Sequence, residues 1–100
     1  MDLPNSILER WRDFIPQNHL LPYDDSLILE WLTCLCSKND SGSFDDLTLA
    51  HLKREIGEVC YTLNDAPYHS DIAYLCSLNT YAAFLLHLCR EKQILKDRPR

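Results

Sequence analysis

Glycine is scarce in this chain: Gly42 and Gly57 are the two present among 100 residues. Turn-rich β architectures rely on glycine at left-handed backbone positions and phosphate cradles rely on runs of it, so both are disfavoured. No C-x-x-C, no H-E-x-x-H and no glycine-flanked nucleophile turn occurs. Those absences argue against the common zinc knuckle, the zinc-protease helix and the hydrolase elbow. After Met1, the residues "DLPN" hold neither a basic cluster nor an apolar run, and no secretory leader is expected from them. One further absence is local: "IAYLCSLNTYAAFLLHLC", Ile72 to Cys89, contains no Asp, Glu, Lys or Arg in a chain that is otherwise a quarter charged.

What is present is a globular composition. Hydrophobic residues make up 46% and charged residues 25%, too apolar for a disordered chain and enough for one core at this length. Five cysteines form an odd set, and without a leader they are expected to be reduced thiols in a cytoplasmic setting. Residues 1–89 carry 13 acids and 5 bases, a net of −8, whereas residues 90–100 carry 5 bases and 2 acids, a net of +3. The acidic body repels phosphate backbones, so nucleic acid is not an expected partner of the main surface. Cations at the end of a last helix complement its negative pole.

The hydrophobic pattern predicts an all-α fold, a small bundle of four helices with a long C-terminal helix. Residues 1–96 are expected to form one domain and 97–100 a basic frayed tail. Leu3, Ile7, Leu8, Trp11, Phe14 and Ile15 recur at steps of three and four, which is one face of a first helix. Pro16 is expected to end it. Asp24, Asp25 and Ser26 offer caps for a second helix, "SLILEWLTCLCS", whose apolar residues point in nearly every direction. The stretch "SKNDSGS" reads as a loop, with Ser43 and Asp46 resembling a capping arrangement. A third helix, roughly Asp45 to Leu63, is expected to bury Leu49, Leu52, Ile56, Val59, Cys60 and Leu63, and the acids Asp45 and Asp46 suit its start. "NDAP" turns the chain, and Ser70 or Asp71 can cap the fourth helix, which is expected to reach Leu95.

Within the charge-free stretch, Ser77, Thr80 and His87, continued by Glu91, fall at steps of three, seven and four with Phe84 filling the heptad spacing. A membrane span needs no such polar stripe, and eighteen residues are short for one. The segment is therefore expected to be a central helix in water, sheathed by the other three, with no membrane contact.

Candidate chemistry is thin. Two ligands converge on a helix when three or four residues apart, and no Cys or His has another at either distance. A zinc site could be assembled only across the turn, from Cys60, His69 and Cys76, and buried inert thiols are the favoured reading, so neither metal nor cofactor is expected. The pairs Asp24/Asp25 and Asp45/Asp46 sit where helix starts favour negative charge, and His51 with Glu55, one turn apart, reads as a surface pair. No enzyme activity is expected.

That leaves binding to another protein, as a regulator, inhibitor or adaptor. The apolar excess of the second and fourth helices gives two forms of it: a second copy of this chain or a larger partner met through an apolar face, or an acidic surface neutralising a basic nucleic-acid-handling enzyme. The expected contact residues are Leu27, Trp31, Leu35, Tyr74, Leu78, Tyr81 and Phe84, with Asp45 and Asp46 for the acidic form. Ser77, Leu78, Ala82 and Leu86 in "SLNTYAAFLL" resemble the helical box by which viral and cellular adaptors bind Elongin C in ubiquitin ligases, with alanine where many members have cysteine. That resemblance implies an adaptor, yet the downstream proline motif that engages a cullin has no counterpart in "KDRPR". In size, acidity and helical pattern the chain is also similar to small bacterial immunity proteins and phage-encoded inhibitors.

Overall fold

The computed structural model describes residues 2–18, 22–65 and 71–97, apart from the side chains of 16–18 and 95–97. Four helices make up the fold: α1 (Asn5–Asn18), α2 (Asp25–Lys38), α3 (Leu49–Asp65) and α4 (Ile72–Asp97), with a single 3-10 turn, Phe44–Asp46, before α3. No strand is present among the described residues. The all-α four-helix bundle expected from the pattern is the observed class.

Local chemistry sets most helix ends. Asp24 caps α2, its Oδ1 accepting from the Leu27 amide at 3.2 Å, and Asp71 caps α4, its Oδ1 accepting from the Tyr74 amide at 2.7 Å. At the far end of α2 the Ser41 amide donates to Cys36 O at 2.8 Å and the Asp40 amide to Ser37 O at 3.2 Å. This is the Schellman pattern. Its left-handed position is filled by Asp40, at φ 51°, a residue whose short polar side chain tolerates that region better than most.

Three expected boundaries are corrected. Pro16 does not end α1, which continues to Asn18. Proline removes the one bond its own nitrogen would donate, and in the last turn that loss does not stop the residues after it. The third helix starts at Leu49, not Asp45, because Thr48 and His51 close it reciprocally: the His51 amide donates to Thr48 Oγ1 at 3.1 Å and the Thr48 amide to His51 Nδ1 at 3.2 Å. This is a capping box with histidine in the place of the usual glutamate. Ser43 makes no side-chain cap, and Asp46 instead turns back to accept from the Gly42 amide at 2.9 Å.

The core is one cluster. Ile7, Trp11 and Phe14 of α1, Ile28, Leu32 and Leu35 of α2, Phe44 and Leu47, Leu52 and Val59 of α3, and Leu78, Tyr81, Phe84, Leu85 and Leu88 of α4 are all buried. Trp11 is its aromatic hub, with ring centroids 5.1 Å from Phe84, 5.9 Å from Tyr23 and 6.0 Å from Phe14. Its indole nitrogen donates to Asp25 Oδ1 at 2.8 Å, so the polar edge of the ring is satisfied at the first turn of α2. Helix α3 packs along α4 more extensively than α2 does.

The fourth helix is not sheathed as expected. Ser77, Leu78, Tyr81, Phe84, Leu85 and Leu88 form its inner face, whereas Ile72, Leu86 and Ile94 are exposed. At about 100° per residue these three lie within about 40° of one line along the outer side. The polar stripe is also placed differently. Ser77 is buried, accepting from the Asp24 amide at 2.8 Å and donating to Ala73 O at 2.7 Å, and Glu91 binds Arg10 at 3.1 Å. It is partly a seam between helices, because a small hydroxyl lets the start of α2 approach α4 closely.

The loop between α2 and α3 is held by Phe44. Its amide donates to Ser6 Oγ at 2.8 Å, its carbonyl accepts from Lys92 Nζ at 2.7 Å, and the Arg10 and Lys92 cations each lie 3.9 Å from its ring centroid. Burial lowers the Lys92 pKa, consistent with a cation held against an apolar ring.

All five cysteines are free thiols. Cys34 and Cys60 are exposed, while Cys36 is fully buried and its pKa is pushed up to about 11 by desolvation. A timed titration with an aromatic disulfide reagent is expected to modify Cys34 and Cys60 fast and Cys36 only after denaturant is added. Fast loss of all five would show that the α2 core opens readily.

Candidate functional site

Among the described residues, the densest polar cluster inside the bundle joins α2, α3 and α4. Glu55 lies in the buried stripe of α3, between Leu52 and Val59, where an apolar residue would ordinarily stand. Both of its oxygens are occupied: Oε1 accepts from Lys38 Nζ at 2.6 Å and Oε2 accepts from the Tyr81 hydroxyl at 2.6 Å. Lys38 also donates to Glu58 Oε2 at 3.1 Å. One ammonium thus faces two carboxylates.

The surroundings shape these groups. Burial, then the bond to Glu55, raises the Tyr81 pKa far above the ordinary phenol range, so the hydroxyl is a fixed donor. The Glu55 bond is the largest influence on Lys38 and raises its pKa, while the Lys38 bond lowers that of Glu58. A folded pKa raised on a lysine stabilises fully below the unfolded value of about 10.4 and fades as pH climbs through the folded value. One lowered on a glutamate stabilises above about 4.3 and fades as pH drops through the folded value. Urea titrations across pH are therefore expected to show stability falling at both extremes, with the acid-side fall shallower in Glu58→Gln. An unchanged acid limb in that variant would remove Glu58 from the account.

Two clefts of about 170 Å³ each meet at Glu55 and Glu58. The first is lined by Trp31, Val59, Thr62, Tyr74, Leu78 and Tyr81 besides the two glutamates, and the second by Lys38, Asn39, His51 and Arg54 with them. Trp31 gathers the aromatics of the first: its ring centroid lies 6.0 Å from Tyr74, edge-on, and 5.3 Å from Tyr81, tilted. Leu78 and Tyr81 are buried and form the floor, Trp31 and Tyr74 are partly buried walls, and Glu58 stands at the exposed rim. A larger groove of about 440 Å³ borders Arg10, Asp13, His87, Arg90, Glu91 and Ile94, but its charges are of both signs and Arg10 is already paired with Glu91.

The expected contact residues separate on inspection. Trp31 and Tyr74 meet at the first cleft, Leu27 is half-buried on α2, and Asp45 and Asp46 are exposed on the 3-10 turn. Leu35, Leu78, Tyr81 and Phe84 are corrected: each is at most 4% exposed, so their apolar surface is already buried in this chain's own core. The same burial breaks up the Elongin-box resemblance, since Ser77 and Leu78 face inward while Leu86 is half-exposed. His51 and Glu55 are not a surface pair: one caps α3 and the other is buried under Tyr81.

Of the three residues from which a zinc site could be assembled across the turn, His69 lies outside the described residues, Cys60 points to solvent and Cys76 is half-buried. Among the described residues no group of three His, Cys, Asp or Glu side chains converges on a metal position. Sequence reasoning missed Glu55, Glu58 and Lys38. The available signal was a glutamate three residues after Leu52 and four before Val59, on the apolar line of α3. No family model, curated protein or solved structure matches the chain.

Proposed function

We propose that this chain is a non-enzymatic protein-binding module, a regulator, inhibitor or adaptor that acts by covering a surface of a partner inside the cell. The observation that carries this reading is the outer line of α4, where Ile72, Leu86 and Ile94 are 73%, 50% and 69% exposed while the opposite face of the same helix is fully packed. Tyr61, 76% exposed on α3, adds to the apolar surface. The segment Ile72–Ile94 has the length and composition to cross a membrane, as core helices of water-soluble proteins also do. Its polar ties to α1, α2 and α3 through Glu91, Ser77 and Tyr81 support the water-soluble alternative. The five free thiols suit a reducing compartment.

The surplus apolar surface lies on α4, not on α2, so a second copy of the chain would meet through α4. The test is tagged capture from the native source at low and high salt, alongside sizing at two protein concentrations. Salt-indifferent capture or self-association, lost in Leu86→Glu and Ile94→Glu, supports the apolar face. Capture that weakens steeply with salt and survives those changes supports instead the acidic inhibitor of a basic enzyme. A chain that stays monomeric and retains nothing overturns the module reading.

A further inference from the structure

We infer that the cleft between Trp31, Tyr74 and Glu58 receives the guanidinium of an arginine side chain presented by a basic segment of a partner protein. The chain's role as a binding module enters this inference only as the source of that arginine. Three features converge on a planar cation. The walls are aromatic, with the partly buried Trp31 and Tyr74 over a floor of Tyr81 and Leu78, and aromatic faces attract cations through their quadrupole. The lining of this cleft carries two carboxylates, Glu55 and Glu58, and no cation of its own; Lys38 pairs with both from the neighbouring cleft, and Arg54 acts on Glu58 from there without pairing with it. The cleft, about 170 Å³, is below the roughly 300–1,000 Å³ of ordinary ligand pockets, so it suits one side chain and not a whole metabolite.

The division of labour between the glutamates narrows the contact further. Glu55 has both oxygens engaged, one by Lys38 and one by Tyr81, whereas Glu58 accepts Lys38 at Oε2 and stands exposed at the rim. A carboxylate has about four acceptor positions, so Glu58 retains capacity for an incoming donor. Arginine is favoured over lysine because a guanidinium can lie flat on a ring and donate from its edge to a carboxylate at the same time. The acidity of residues 1–89 draws basic segments toward this surface.

The test uses the intact chain, isotope-labelled, titrated with N-acetyl-arginine amide and, separately, with its neutral isostere N-acetyl-citrulline amide and with N-acetyl-lysine amide. The two indole N–H signals serve as probe and reference, since Trp31 lines the cleft and Trp11 is sealed against Asp25. The Trp31 signal is expected to move saturably with the arginine compound, little with the other two, and Trp11 to stay still. Glu58→Gln and Tyr74→Leu, both at partly or fully exposed positions, are expected to weaken the effect about three- to tenfold. Lys38→Met, which removes the resident cation, is expected to strengthen it. No saturable movement, equal movement with citrulline or lysine, or insensitivity to both weakening variants overturns the inference. The capture experiment above is scored separately: a partner retained equally by Glu58→Gln and Tyr74→Leu sinks the cleft and leaves the module standing. Absence of any partner sinks the module, and the arginine titration still decides the cleft.

Discussion

Phe84→Ala is expected to destabilise the fold by about 3–5 kcal/mol, the range for truncating a buried phenylalanine where the surroundings collapse only partly. Phe84 has no exposed surface, and its ring centroid lies 5.1 Å from Trp11 and 5.3 Å from Phe14. Its removal thus takes away the buried aromatic contact between α1 and α4, leaving the Arg10–Glu91 pair, and loses aromatic pair geometry as well as area. A domain of this length has a total stability of about 5–15 kcal/mol, so the change consumes about a fifth of it or more. With a urea slope of about 1–3 kcal/mol/M the unfolding midpoint should fall by about 1 M or more. Phe84→Leu, which keeps most of the volume, should cost less. A midpoint for the alanine variant close to wild type would show that α1 is dispensable, and the Trp11 cluster would lose its place at the centre of the fold.

The second large effect is expected at the buried acid. Glu55→Ala leaves the Tyr81 hydroxyl without its acceptor in a side chain that is 1% exposed. An orphaned buried donor costs about 1–3 kcal/mol, and the vacated volume adds to that. Lys38 also loses its main partner, but its side chain is 48% exposed, and water absorbs most of that loss. Tyr81→Phe alone removes the donor and leaves the carboxylate with Lys38. The double variant Glu55→Ala, Tyr81→Phe has no orphan left, so its cost should be smaller than the sum of the two single ones by about 1–2 kcal/mol. Urea or thermal unfolding of all four proteins reads that coupling directly. Strict additivity would mean that the 2.6 Å bond is not formed in solution.

The sequence was most informative where one physical signal acted alone. Aspartates ahead of apolar runs marked the starts of α2 and α4, because an unpaired amide at a helix start needs an acceptor and Asp24 and Asp71 supply one. The face of α1 was readable because its apolar residues are confined to one side. Orientation was not readable in α4. Ile72, Leu86 and Ile94 are as apolar as the buried Leu78, Leu85 and Leu88, and periodicity carries no direction when both sides are alike. That is why three core residues of this helix, Leu78, Tyr81 and Phe84, were assigned to an interface. The start of α3 was hidden because histidine does what glutamate usually does in a capping box. Glu55 was read as surface on the assumption that carboxylates face water, and its two donors, Lys38 and Tyr81, are 17 and 26 residues away in the chain. The candidate cleft depends on those long-range meetings, so its aromatic and apolar members Trp31, Tyr74, Leu78 and Tyr81 could be anticipated and its two glutamates could not.

The clasp around Phe44 gives one loop amide an unusual reporting role. Its acceptor is the Ser6 hydroxyl of α1, 38 residues earlier, and its carbonyl is held by Lys92 of α4, 48 residues later. Amides outside regular structure commonly swap hydrogen for deuterium with little protection. This one is freed when the Ser6 hydroxyl leaves it, so its exchange rate is expected to follow undocking of the first helix from the loop and to serve as a built-in gauge of whether the N-terminal segment remains in place.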